Sequence, residues 1–521
     1  MLLSFFCDEF FVNKCYINID WRTNSKPGIK MKKCFIIILL LGVFIQELRS
    51  QQLLSSDLPD YKEDSIRLLP KRPWVAATEI WGLNMLVWMG NRYIANQPYA
   101  YIDFTTIKDN FKTEPVWDTD MFSTNMIAHP YQGGLYYNAA RSSGYNVWQS
   151  AAFNVAGNFM WEYFMENEYP SINDMFTTTF AGVELGEISF RLSDLFIDDR
   201  SSGSERIGRE FLVTLVSPMR GFNRLISGDS WKRRSFKGRS VRSVPVAFGA
   251  NLGPRFFTEQ NNSSKGSMSM QLNFHVDYGD TFSEEGFSLY DWFKLRAGFD
   301  FFSYEPLLNY VNVIGALWGK PIWNRGDQTI SMGVFQHFDY YDSQLSSKSI
   351  GTVPPYHTSE VAALGLGILY GNPAVKLDKV DFYADFYLTD IALGTSVSDY
   401  MKVGERDYNM GSGYSLKFSS KLTYNKHWSM SMNFENYHIY SWKGYSPDLD
   451  LDAVDPRTFN YQGNKSNSCL SVLSTIFVYN SSHKWNIALS NRRFLRKTNY
   501  KYEPDIGYST FDLMLSLGIQ L

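Results

Sequence analysis

The stretch MSMQLNFHVDY, residues 268–278, alternates without a break. Met268, Met270, Leu272, Phe274, Val276 and Tyr278 are apolar or aromatic, and Ser269, Gln271, Asn273, His275 and Asp277 between them are polar. A period of two places the two sets on opposite faces of a β-strand. The stretch is as long as the roughly 9–11 residues a tilted strand needs to cross a bilayer's hydrocarbon core, and longer than the about 5–6 residues usual in a soluble sandwich.

The same period recurs further along the chain. Val380, Phe382, Ala384, Phe386 and Leu388 alternate with Asp381, Tyr383, Asp385, Tyr387 and Thr389. Trp428, Met430, Met432 and Phe434 alternate with Ser429, Ser431, Asn433 and Glu435, and aromatic residues flank both ends of that strand. The chain closes on Phe511, Leu513, Leu515, Leu517, Ile519 and Leu521, with Asp512, Ser516, Gly518 and Gln520 opposite. An apolar terminal strand resembles barrel-assembly signals, which usually finish on Phe or Trp rather than Leu. Turns of unequal length, such as 324–328, 371–373 and 443–455, separate the strands. Counting alternating segments predicts about twelve strands over residues 244–521, with 306–319 readable as strand or helix. A soluble β-sandwich is the alternative, disfavoured by strand length.

Upstream the spacing is helical. Residues 71–228 predict a helical domain, and a basic segment, 229–243, follows it. Residues 74–94 are apolar nearly all round, which predicts a buried helix after Pro73. Residues 130–144 and 145–168 predict a helical hairpin. Ser171 and Asp174 form a capping pattern that opens a helix to about residue 195. Residues 205–226 predict a helix broken at Ser217-Pro218. The segment 231–242, with Lys232, Arg233, Arg234, Lys237, Arg239 and Arg242, is read as a solvated linker, the alternative being contact with acidic lipid headgroups. The fold class expected is therefore α+β: an N-terminal helical region followed by an antiparallel transmembrane β-barrel.

Residues 31–50 have the form of a secretory signal: Lys32 and Lys33, an apolar run over 35–45, then Ser50, after which cleavage is expected. Residues 1–30 read as an upstream extension with Met31 as the functional start, and 51–70 as a polar lead. Beyond residue 50 the chain carries 43 Lys and Arg against 49 Asp and Glu, a net −6, which argues against nucleic acid as a partner. Cys469 is the one cysteine left there, so neither an internal disulfide nor a cysteine metal site is expected. Aromatic content of 17% without a long apolar run after the leader suits a membrane barrel. Localisation in the outer membrane is expected, with outer-membrane lipids and the barrel-assembly machinery as partners.

The densest polar constellation lies in the helical region: His129, Pro130, Tyr131 and Gly133, then Arg141 and Gly144, then Trp161, Glu162, Tyr163 and Glu166, then Pro170, Ser171 and Asp174, and finally Glu184 and Glu187. These blocks, HPYxG, ARSxG, WEYxxE and PSxxD, with SPMRGFNRLISG at 217–228, resemble an uncharacterised family of bacterial envelope proteins defined only as a domain of unknown function. The resemblance covers residues 117–228 by motif. It implies relatives and no activity.

Glu162 and Glu166 share a helix face, and His129 and Arg141 belong to the preceding helix. If they converge, His129 with Glu162 or Glu166 makes an acid–base pair suited to hydrolysing or transferring acyl chains of envelope lipids. The plainer reading is a structural polar network in which Arg141, Asp174 and Glu187 take part, serving a structural, binding or transport protein. Gly182 and Gly186 share a face and are read as helix-packing positions. No metal site and no cofactor is expected, and the G-x-S-x-G, H-E-x-x-H and P-loop signatures are missing. The expected arrangement has the helices plugging the lumen or docking beneath the barrel.

Overall fold

The structure, a computed structural model, describes residues 67–242, 244–259, 266–301, 306–325, 328–344, 353–372, 380–481 and 484–520. The extension and leader of 1–50, the lead up to residue 66, and terminal Leu521 lie outside the described residues. The chain divides into two compact units. One holds residues up to 118 together with 123–243 and 457–459, and the other holds 119–122, 244–456 and 460–521.

The helical unit has seven α-helices among the described residues: α1 Pro73–Met89, α2 Phe104–Lys112, α3 His129–Ser142, α4 Val147–Phe164, α5 Ile172–Asp194, α6 Gly203–Val216 and α7 Pro218–Ile226. Asp103 caps α2 and Asn146 caps α4, each in a reciprocal capping box. Helices α3 and α4 pack against each other as the expected hairpin, with Gly157 of α4 against the Tyr136 ring, and the tightest crossing is α3 on α5. A Cβ on Gly133 would stand 1.9 Å from the Thr178 carbonyl oxygen, and one on Gly182 would stand 2.8 Å from the Gly133 Cα. Only hydrogen atoms fit between these backbones, so both glycines serve close approach.

Helix α1 corrects the expectation of an all-round buried helix. Its buried residues are Ala76, Glu79, Ile80 and Asn84, a single stripe, whereas Trp74 and Leu86 are 81% and 64% exposed. Apolar residues occupy both faces, so the inward face cannot be read from hydropathy. The segment 231–242 is also not a solvated linker throughout. Arg234 bonds Asp199 and Asp229 at 2.5 and 2.7 Å, Arg239 donates to the Leu195 carbonyl, and the backbone amide of Ser240 donates to Asp194. Acids at the end of α5 and beyond it hold the segment in place, leaving Lys232 and Arg233 exposed.

The second unit is a closed antiparallel barrel of twelve long strands: β1 Val246–Glu259, β2 Ser267–Tyr278, β3 Phe293–Phe301, β4 Leu308–Arg325, β5 Gln328–Asp342, β6 His357–Gly371, β7 Val380–Val397, β8 Tyr408–Tyr424, β9 Trp428–Tyr440, β10 Ser466–Asn480, β11 Trp485–Tyr500 and β12 Ile506–Gln520. Each pairs with the next, and β1 closes on β12 with Leu252 opposite Leu517 and Phe256 opposite Leu513. Closure leaves no unpaired edge, the condition for a sheet in hydrocarbon. The ambiguous stretch 306–319 lies in β4 and is strand from Leu308.

Burial follows the alternation. In β12 Leu513, Leu515 and Leu517 face outward and are exposed, while Asp512, Met514 and Ser516 between them are buried. In β6 and β7 Leu364, Leu366, Ile368, Phe386 and Leu388 are exposed, and Leu369, Asp385, Tyr387 and Thr389 are buried. Strand β2 differs. Met268 is exposed, but Leu272, Val276 and Tyr278 are buried. On that face Phe274 meets Phe248 and Phe299, and Tyr278 stacks on Phe293.

Candidate functional site

Three of the six residues singled out in the sequence converge in the helical unit. His129 begins α3, Glu162 lies in the last turn of α4, and Asp174 lies in the first turn of α5. All three are buried, and one ligand atom from each falls within 4.8 Å of the others. His129 Nε2 stands 3.6 Å from Asp174 Oδ2.

Local structure sets this arrangement. Ser171 caps α5 by accepting from the Asp174 backbone amide at 3.1 Å. In a full capping box the Asp174 carboxylate would take the Ser171 amide. Instead Glu162 Oε2 accepts it, at 2.9 Å, and Asp174 accepts from Asn173 Nδ2 and faces His129. A parallel bridge between Val116 and Ser171 brings in a fourth group, Asp118. The Asp118 backbone amide donates to Asn173 Oδ1, and its carboxylate accepts from Asn125 Nδ2 at 2.6 Å. Burial opposes ionisation of Asp118. A hydrogen bond shared with Asp174, the charge of His129 and the Asn125 and Asn173 amides outweigh it and hold the carboxyl below the usual range.

Arg141 and Glu187 form a separate group. Glu187 Oε2 accepts from Arg141 Nε at 2.8 Å and from the Tyr137 hydroxyl at 2.7 Å, and Oε1 accepts from Arg191 at 2.8 Å. Burial raises the carboxyl's pKa, but the two guanidinium charges prevail and hold it at about 2. Glu166 lies two residues past the end of α4 and is half-buried, and its backbone carbonyl accepts from Asn110. The structure therefore divides the expected network into two groups, and gathers His129 with Glu162 and Asp174 in one of them.

Sequence reasoning missed Asp118, which lies before the first quoted motif. It also missed the buried acids Asp194, bonded by Arg220, and Asp199, bonded by Arg206, Arg224 and Arg234. The signal for these was the excess of arginine over acids in residues 206–234, six Arg against Glu210 and Asp229.

The inner wall of the barrel carries further charge. Lys417 bonds Asp339 at 2.6 Å and also bonds Glu360, and His337 Nδ1 lies 3.1 Å from the same ammonium. Tyr437 donates to Asp339 and Glu435, and Tyr341 donates to Glu435. Arg255 spans Asp300 and Asp512. The chain between β2 and β3 folds against this wall. Ser331 donates to the Thr281 carbonyl, Phe287 packs on Phe335, and Tyr290 donates to Gln336. Tyr290 and Tyr387 are fully buried, so side chains fill this part of the lumen.

No curated protein matches the chain. Among solved structures, the NanC porin is similar at 10% identity and a TM-score of 0.25, covering 51% of this chain and 98% of its own. The toluene transporter TodX of Pseudomonas putida is similar at 9% identity and 0.20, covering 53% and 88%. The outer membrane channel DcaP of Acinetobacter baumannii is similar at 9% and 0.20, covering 54% and 97%. Closure of the barrel rests on its own strand register rather than on these likenesses. Residues 114–219, the span that holds His129, Glu162, Asp174 and Asp118, match the model of a domain of unknown function (DUF3943).

Proposed function

We propose that this chain is an outer-membrane barrel protein of the structural, binding or transport class whose lumen is closed by its own side chains, and that it reaches the membrane after a leader is cleaved near Ser50. The observation that carries this reading is the division of the barrel's faces. Exposed Leu and Phe cover the outside of β6, β7 and β12, where lipid tails would lie, and a buried lattice around Lys417 fills part of the inside. A water-filled porin leaves its lumen charges solvated; here Lys417, Asp339, Glu360 and His337 are all buried.

Lipid contact would extend to the helical unit. Trp74, Phe104, Trp148 and Trp231 are exposed there beside exposed Lys71, Lys108 and Lys232. Among the described residues no helix is long and apolar enough to cross a membrane, so such contact would be interfacial. The terminal strand, with its outward Leu row, is the segment we assign to the assembly machinery. The hydrolase alternative, His129 acting with Glu162 or Glu166, has less support: Glu162 Oε2 accepts the Ser171 backbone amide, the task of a helix cap.

The test is membrane fractionation with boiled and unboiled gel mobility, followed by conductance in planar bilayers. Outer-membrane recovery, a heat-dependent shift and little conductance are expected, with deletion of residues 280–291 raising conductance. Soluble recovery without a shift would remove the membrane reading, and a large steady conductance of the parent chain would remove the closed lumen.

A further inference from the structure

We infer that His129, Glu162 and Asp174, with Asp118 beside them, form a binding site for one divalent cation of the zinc or manganese kind. The inference rests on the helical unit alone and does not depend on whether the barrel conducts.

Geometry is the first support. An imidazole–carboxylate hydrogen bond closes at about 2.7–2.9 Å, so the 3.6 Å between His129 Nε2 and Asp174 Oδ2 is too long for one. Two donors each about 2.1 Å from a shared tetrahedral ion stand about 3.4 Å apart, close to what is found. The Glu162 donor atom lies within 4.8 Å of the other two, and drawing it inside the about 4.2 Å that two donors on one ion can span takes only a small side-chain shift. Three helices deliver the three ligands, so the spacing is set by tertiary packing and not by one flexible loop.

The donor set and its supports agree with a metal. One imidazole with carboxylates suits zinc or manganese better than calcium or magnesium, which favour all-oxygen surroundings. Each carboxylate is oriented by an outer group: Glu162 by the Ser171 amide, Asp174 by Asn173, and Asp118 by Asn125. Such partners fix ligands for a cation and raise its affinity. Three buried or half-buried acids around a single imidazole also carry more negative than positive charge, which a divalent cation would offset.

The test uses the full chain in detergent, stripped with a chelator and titrated separately with Zn2+ and Mn2+. One metal per chain should survive dialysis and raise the melting temperature. His129→Ala, Glu162→Gln and Asp174→Asn should each weaken binding by about 10-fold or more, the scale of lost metal-site contacts, while Glu166→Gln binds like the parent. Heat-dependent gel mobility and helical circular dichroism check that each variant is folded. The visible spectrum of the Co2+-loaded parent gives a readout that needs no variant: a spectrum unlike that of hydrated Co2+ is expected. A hydrated-ion spectrum, absence of stoichiometric metal, or equal retention by parent and ligand variants would overturn the site.

Discussion

Lys417 on β8 and Glu187 on α5 are both buried charges held by opposite charges, yet only one of them lies where its sequence neighbourhood says it should. On the barrel wall each residue faces opposite to the next, so a charge flanked by outward apolar residues points inward. In the helical unit Glu79, Asn84, Glu162 and Glu187 are buried, while Trp74, Phe104 and Trp148 are exposed. A strand whose two faces meet two different media, as in β6, β7 and β12, needs only its own pattern to assign them. A helix here needs the identity of its neighbours, because polar partners and close backbones define the interior.

The strongest way to break this contrast is to add a methyl group where backbones touch. Gly133→Ala should destabilise the helical unit by about 3 kcal/mol, since its Cβ has no space against the Thr178 carbonyl. Gly507→Ala on β12, where the nearest atom is 3.9 Å away, should stay within about 0.5 kcal/mol. Limited proteolysis across a temperature series reads both, and equal sensitivity would contradict the crossing described.

Removing half of a buried ion pair should come next. Arg141→Met leaves Glu187 with Arg191 and Tyr137 alone, at a cost of about 3 kcal/mol. In the parent, Glu187 has a depressed pKa, so its contribution is complete above about 4.5 and is lost as pH falls toward about 2. The variant should therefore begin to unfold at a higher pH than the parent in an acid titration followed by circular dichroism. Coincident curves would show that Arg141 does not hold that carboxylate.

Glu79 supplies the smallest effect and the opposite sign. Burial raises its pKa to about 8, against smaller opposing effects from Asn223 and Arg72. A raised acid binds its proton more tightly when folded, so its contribution is present below about 4.5 and declines as pH rises through about 8. Glu79→Gln keeps an acceptor for Asn223 and should flatten the fall in melting temperature between about pH 4.5 and about 8, the window set by the unfolded and folded pKa values. An unchanged pH profile would place the titration elsewhere.

The same contrast explains what could be read from the chain. The strand pattern of residues 268–278, 380–389, 428–435 and 511–521 led to a barrel of about twelve strands because the period of two recurs in each, and only in 268–278 is the apolar set itself largely buried. The convergence of His129 with Glu162 and Asp174 was only partly legible. Glu162 and Glu166 are equivalent by helical spacing, and Asp174 reads as a capping residue until the Ser171 amide is seen to bond Glu162 instead. Asp118 was out of reach, because a bridge from Val116 to Ser171, fifty-five positions apart, leaves no local signature.

Phe122 lies between two stretches of the helical unit, yet residues 119–122 count with the barrel unit. There Phe122 packs against Tyr340, His357 and Tyr408, and Glu405 donates its amide to the Thr119 carbonyl. Synthesis and export run from the N-terminus, so this piece of the barrel's interior is made before its first strand. A shortened chain starting at residue 244 would contain all twelve strands and still lack part of its own filling, so it cannot stand in for the barrel of the whole protein.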